Sequence, residues 1–206
     1  HGESVAFTCA YAGNLRELAS MIRLLENRSP GAEAELIEEL QILLNDDTGL
    51  FENIEAKKKL LASYTQRCRH RISGRRIAVR LSELAENLER KADWLTEHLQ
   101  NHEWIDGGTD EGWFNSYYDD HGRAVEGFFP NEVRMMLTGQ VFSIMGNVAS
   151  EQQIRRIVNS ADRYLYRKEI GGYRLNTDFH ELKFDMGRMF GFAYGEKENG
   201  AVFSHM

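Results

Sequence analysis

Apolar residues recur at steps of three and four along the first half of the chain, and that rhythm breaks up in the second half. Val5, Thr8, Ala12, Leu15, Ala19, Ile22 and Leu25 fall on one side of a 3.6-residue repeat, which predicts an amphipathic helix over residues 3–27. Ser29-Pro30-Gly31 ends it. Leu36, Leu40 and Leu43/Leu44 predict a second helix over residues 32–44, followed by a turn at Asn45 to Gly49. Ile54, Leu61, Tyr64 and Cys68 share one side of a third, from Glu52 to His70. Beyond Ser73-Gly74, the stripe Ile77, Leu81, Leu84, Leu88, Ala92, Leu95 and Leu99 predicts a fourth over 75–100.

From Trp104 the pattern is shorter in wavelength. Trp113-Phe114-Asn115-Ser116-Tyr117-Tyr118 reads as a short strand ending at Asp119-Asp120-His121-Gly122. Met135 to Met145 reads as an apolar helix stopped by Gly146. Ser150 with Glu151 and Gln153 makes a capping-box start for a helix carrying Ile154, Ile157, Val158, Ala161 and Leu165. Tyr173 to Thr177 is strand-like, and Asn199-Gly200 is expected to open a last helix. After residue 103 come 17 of the 22 aromatic residues and 13 of the 18 glycines, so ligand-facing loops are expected in the second half. Helices whose connections carry aromatics and glycines at one end suggest an α/α toroid with a sugar-binding cleft there. Aromatics packed inside a plain helical core are the alternative.

Composition narrows the function classes. With 42% hydrophobic and 28% charged residues, the chain has the make-up of a folded globular protein. A formal net charge of -7 opposes general polyanion binding. The basic run Arg67-Cys68-Arg69-His70-Arg71, with Arg75, Arg76 and Arg80, lacks interleaved aromatics and reads as a solvated helix end, not a nucleic-acid surface. No apolar run approaches the roughly 20 residues of a membrane span. Cys9 and Cys68 do not make a disulfide framework, so a reducing cytoplasm is the expected location.

Four motifs then carry a resemblance. Gly2-Glu3-Ser4-Val5 opening a helix, Trp113-Phe114 through Tyr118-Asp119-Asp120-His121-Gly122, Thr138-Gly139-Gln140-Val141-Phe142 with Gly146 to Ser150, and Lys197-Glu198-Asn199-Gly200 followed by Phe203-Ser204-His205 occur in this order. Together they resemble the inverting glycoside phosphorylases related to cellobiose phosphorylase. Gly171 to Phe179 and Gly187 to Gly195 look closest to the branch acting on β-1,2-linked glucooligosaccharides. That branch holds 1,2-β-oligoglucan phosphorylases and the phosphorylase-like, chain-length-controlling domain of cyclic β-1,2-glucan synthases. The likeness is weakest over residues 28–75, which read as a helical insertion.

The resemblance implies a mainly α fold, part of an (α/α)6 barrel with short strand-like loops on its ligand face. Residues 1–206 would belong to one catalytic domain whose barrel is incomplete at both ends. Such a piece is expected to be inactive alone and to need a partner for its helix faces. It further implies phosphorolysis with inversion, giving α-glucose 1-phosphate. Phosphate is a co-substrate that is already an anion, so no general base is required, and no cofactor or metal is expected. His205 matches the phosphate-binding histidine and Glu198 a carboxylate on sugar hydroxyls. Lys197 and Asn199 would shape the loop. Gln140, Arg174 and Arg188 are open between substrate contact and structural roles, and Trp113 and Tyr118 are expected to be packing residues. The general-acid aspartate is expected upstream of His1. The partners implied are a β-glucooligosaccharide and phosphate, with a homodimeric parent open. A non-catalytic carbohydrate-binding helical domain remains the alternative from another class.

Overall fold

A computed structural model describes residues 4–45, 47–181 and 184–203, with the side chains of Thr48, Arg188 and Phe190 also outside the description. The element order is α1 (Val5–Arg28), β1 (Glu33–Ile37), a 3-10 stretch (Glu38–Leu44), α2 (Thr48–Glu52), α3 (Ile54–Cys68), β2 (Arg76–Arg80) and α4 (Leu81–His102). There follow β3 (Trp104–Asp106), β4 (Gly112–Phe114), β5 (Gly127–Phe129), β6 (Glu132–Arg134), α5 (Leu137–Met145), α6 (Glu151–Tyr164), β7 (Tyr166–Arg167), β8 (Gly172–Tyr173) and a kinked 3-10 stretch (Phe184–Gly191). The fold is mainly α, and the described strands pair only two at a time, antiparallel. Among the described residues, no helix is long and apolar enough to cross a membrane.

The chain forms two compact units, one of His1–Asn14 with Trp94–Met206 and the other Leu15–Asp93. In the Leu15–Asp93 unit the helix expected over 32–44 is not formed. Residues 33–37 are a strand, because Ala34 and Leu36 alternate with Glu33 and Glu35 and meet the matching alternation of Ile77 and Val79. The register pairs Ala34 with Val79 and Leu36 with Ile77. The apolar face of this ribbon packs with Ile22, Leu81, Leu84 and Ala85, so the fourth helix begins at Leu81 and not at 75. Arg23 adds an ion pair to Glu89 at 2.8 Å, tying α1 to α4 within the unit.

The other unit has its core around Trp113, Phe114, Met135 and Leu165, each 0% exposed. The indole Nε1 of Trp113 has no hydrogen-bond acceptor among the described residues. An unmet donor costs about 1–3 kcal/mol, whereas truncating a buried Trp typically costs about 3–5 kcal/mol. Packing wins, and the ring stays inside against Phe128 and Tyr164. The capping box predicted for α6 is present, with Ser150 and Gln153 exchanging side-chain-to-backbone bonds. Residues 201–203 are not helical. Any part of the last expected helix beyond them lies outside the described residues.

Small residues let the backbones in this core close up. A Cβ built on Gly146 would stand 2.2 Å from the Cys9 carbonyl oxygen, and one on Gly13 would stand 2.7 Å from the Gly146 Cα. Gly146→Ala is therefore expected to destabilise the chain by about 1–3 kcal/mol, since backbone rather than a side chain must yield. Urea denaturation beside Gly191→Ala, at a position with open space, checks this. A Gly146 variant as stable as the Gly191 one would contradict the contact.

Candidate functional site

The segment 114–118 must run through the interior, so each of its amides needs a partner. Side chains provide most of them. The buried Gln140 amide acts as a surrogate strand: its Oε1 accepts the Phe114 N–H at 2.8 Å, and its Nε2 donates to the Phe114 carbonyl at 2.8 Å. The same Nε2 donates to the Met136 carbonyl at 2.9 Å. Ser116 Oγ accepts the Gly139 N–H at 3.1 Å, fixing the start of α5 against the segment. Glu103 accepts the Tyr118 hydroxyl at 2.9 Å and the Asn115 side-chain amide at 3.3 Å.

Glu126 completes the brace. Its carboxylate accepts the Ser116 N–H through one oxygen and the Met136 N–H, at 2.5 Å, through the other. It thus ties the 114–118 segment to the lead-in of α5. Only 5% exposed, the carboxyl is pushed up to about 8 by burial, against the downward pull of those N–H groups and the Ser116 hydroxyl. Cys9 nearby is inert for a related reason: burial first, then the Glu103 charge, pushes its thiol up to about 12.

Against this frame lies a cavity of about 310 Å³ lined by Ser4, Ser116, Tyr117, Thr138, Glu198 and Phe203 among others. Ser4 stands at the head of α1, where its Oγ accepts the Phe7 N–H at 3.4 Å. It is bridged to Tyr117, and the Val5 N–H donates to the Ser116 carbonyl at 3.1 Å. Each of the four motifs singled out in the sequence thus contributes a wall residue: Ser4, Tyr117, Thr138 and Glu198.

The loop that carries Glu198 is shaped from beneath. Lys197 has φ 46°, and the turn closes by the Asn199 N–H on the Glu196 carbonyl at 3.0 Å. Fully buried Asn176 holds both sides of the following bend: its Nδ2 donates to Asn199 Oδ1 at 3.0 Å, and its Oδ1 accepts the Gly200 N–H at 2.7 Å. Gly200 has φ 73° and a built Cβ would stand 2.3 Å from the Tyr194 ring, so no other residue fits. Arg174 donates to the Gly200 carbonyl at 2.6 Å and lies over the Tyr194 ring.

The residues expected to touch substrate therefore fall into three groups. Glu198 lines the cavity. Gln140 and Arg174 are bonded to backbone, Gln140 in the core at 2% exposure and Arg174 against the 194–200 loop. The Arg188 side chain and the whole of His205 lie outside the described residues. Trp113 and Tyr118 are packing groups, Asn199 a loop-shaping one, and His121 is exposed. Sequence reasoning missed Glu126 and Asn176. Glu126 was signalled by an acid placed between Val125 and Gly127-Phe128-Phe129.

The raised Glu126 carboxyl makes stability depend on pH. Folding favours its protonated form, so its contribution is fully present below the unfolded value of 4.5 and is lost as pH rises towards about 8. The melting temperature is expected to fall between pH 5 and pH 8, and this slope should vanish in Glu126→Gln. That variant should also be less stable at pH 7 by about 1–3 kcal/mol, because an amide NH2 then faces a backbone N–H. Calorimetry across the pH range reads both effects, and a variant with the wild-type slope would remove Glu126 as their source.

Comparison with known proteins agrees with this convergence of motifs. Over 98 residues the chain is 28% identical to a solabiose phosphorylase of Paenibacillus borealis, spanning 48% of this chain and 13% of that protein. Over 115 residues it is 27% identical to an N,N'-diacetylchitobiose phosphorylase of Vibrio furnissii, spanning 55% of this chain and 14% of that protein. The aligned part is thus about one seventh of these curated relatives' length. Residues 76–206, well over half of the chain, match the family described as the glycosyl hydrolase 94 superfamily, catalytic domain. With its motifs gathered on one cavity and its sequence matched over that span, the chain belongs to the glycosyl hydrolase 94 superfamily.

Proposed function

We propose that this chain is part of the catalytic centre of an inverting glycoside phosphorylase that acts on β-1,2-linked glucooligosaccharides and yields α-glucose 1-phosphate. The observation that carries the reading is the single cavity on which Ser4, Tyr117, Thr138 and Glu198 meet from four distant motifs. The two relatives are named as phosphorylases of different disaccharides, so phosphorolysis is what they share. The β-1,2 linkage rests on the likeness of the 171–179 and 187–195 segments to that branch, as does completion of the helices into an (α/α)6 barrel. A phosphorylase-like domain controlling chain length in a cyclic β-1,2-glucan synthase would use the same centre.

In this reading Glu198 accepts hydrogen bonds from the sugar hydroxyls beside the scissile bond. Its loop is held by Asn176 and Arg174, so its position is set before substrate arrives. Gln140 acts through the wall, keeping Phe114 and Met136 in register. His205 supplies positive charge to phosphate, which attacks the anomeric carbon from the face opposite the leaving sugar. A carboxylic acid expected before His1 protonates the leaving oxygen, and phosphate replaces the activated water of a hydrolase.

Phosphorolysis of sophorose-series and cello-series oligosaccharides by a protein containing this chain tests the reading through release of α-glucose 1-phosphate. Glu198→Gln is expected to lower kcat/KM for the oligosaccharide about 10–100-fold, the worth of a hydrogen bond to a charged group. His205→Ala should raise the KM for phosphate while sparing that for the oligosaccharide. An unchanged phosphate KM removes the His205 assignment. Oligosaccharide binding with no phosphate-dependent release would favour the non-catalytic alternative.

A further inference from the structure

The basic run at the end of α3 has a use that a solvated helix end does not account for. In the Leu15–Asp93 unit, Arg67, Arg71 and Arg75 line a cavity of about 590 Å³ together with Glu38, Glu39 and Ser73. The volume lies within the range of roughly 300–1,000 Å³ typical of small-molecule sites. Arg75 is already paired, with Glu38 at 2.6 Å. Among the described residues, neither Arg67 nor Arg71 has an ion-pair or hydrogen-bond partner, although both are at the cavity.

The acid on the same wall is unusual in the opposite sense. Glu39 is 6% exposed, and one carboxylate oxygen accepts the Ser73 N–H at 2.6 Å. The other oxygen has no hydrogen-bond donor among the described residues. The charge of Arg75 and, before it, the Ser73 N–H keep this carboxyl ionised, its pKa lowered. A buried acceptor left unmet is costly, and two guanidinium groups beside it offer ten N–H donors for an anion.

We infer that this cavity binds a phosphorylated hexose, with Arg67 and Arg71 on the phosphate and Glu39 accepting from a sugar hydroxyl. The charge pattern selects that class. Free inorganic phosphate would meet the two guanidinium groups but also the Glu38 and Glu39 charges, and would fill little of the space. A neutral sugar would satisfy Glu39 and leave both arginines without an anion. An extended polyanion needs a basic stripe, whereas here acids and bases alternate around one hollow. Residues 28–75 precede the part matched to the superfamily, so the site would belong to the segment that distinguishes this chain.

Isothermal titration of the full chain with glucose 6-phosphate, α-glucose 1-phosphate, inorganic phosphate and glucose tests the inference. A hexose phosphate is expected to bind at least tenfold more tightly than inorganic phosphate or glucose. Arg67→Ala/Arg71→Ala should weaken it tenfold or more, and Glu39→Gln should weaken the hexose phosphate while leaving inorganic phosphate unchanged. Absence of hexose-phosphate binding, equal affinity for inorganic phosphate, or full binding by the double variant would each overturn it. In a protein with phosphorolytic activity the double variant should keep the wild-type rate. Loss of binding with the rate intact thus separates this site from the Glu198 cavity, and failure of the phosphorolysis reading leaves the titration to stand by itself.

Discussion

A peptide segment buried on all sides has to find a partner for each amide, and the 114–118 segment does so largely without a sheet. Gln140, Ser116, Glu126 and Glu103 replace neighbouring strands with side-chain amide, hydroxyl and carboxylate groups. Each of these bonds crosses between elements distant in sequence, so they set the head of α1, the start of α5 and the cavity wall together. Apolar packing around Trp113 and Phe114 stabilises the assembly but has little directionality. The polar braces are what make the wall one shape, and the strictness of that arrangement follows from the low cost of satisfying them and the high cost of failing to.

Much of the helical framework was legible because it rests on long stripes. The stripes in α1, α4 and α6 extend over three or more turns, and capping residues mark the start of α6. The 32–44 region misled for a physical reason. Leu36, Leu40 and Leu43 have helical spacing, yet the alternation that decides the outcome covers only five residues and depends on a partner strand beginning at Arg76. At the site, Glu198 could be picked out by its motif. Gln140 could be picked out only as an amide of some use, since an amide that binds sugar and one that binds backbone look alike in sequence. Asn176 and Glu126 acquire their roles from which backbone passes them, which no local pattern records.

The two units share the family portion unequally. The superfamily match starts at residue 76, but β2 and the first half of α4 lie in the Leu15–Asp93 unit. The segment preceding residue 76 therefore does not fold as a separate module. It adds β1 to β2 and lays its apolar face on Leu81, Leu84 and Ala85, using an edge that belongs to the family's own sequence. That arrangement anchors the added segment through main-chain bonds, which are indifferent to side-chain identity.

The loop at 194–200 divides its labour by position. Asn176, Arg174, Asn199, Gly200 and the Tyr194 ring fix the path of the backbone, while Glu198 alone turns a carboxylate to the cavity. Shape and chemistry are thus written on different residues. A lineage could exchange the side chain at 198, and with it the hydroxyl pattern preferred, without relearning how to fold the loop, and the loop becomes a fixed mount for a changeable tool.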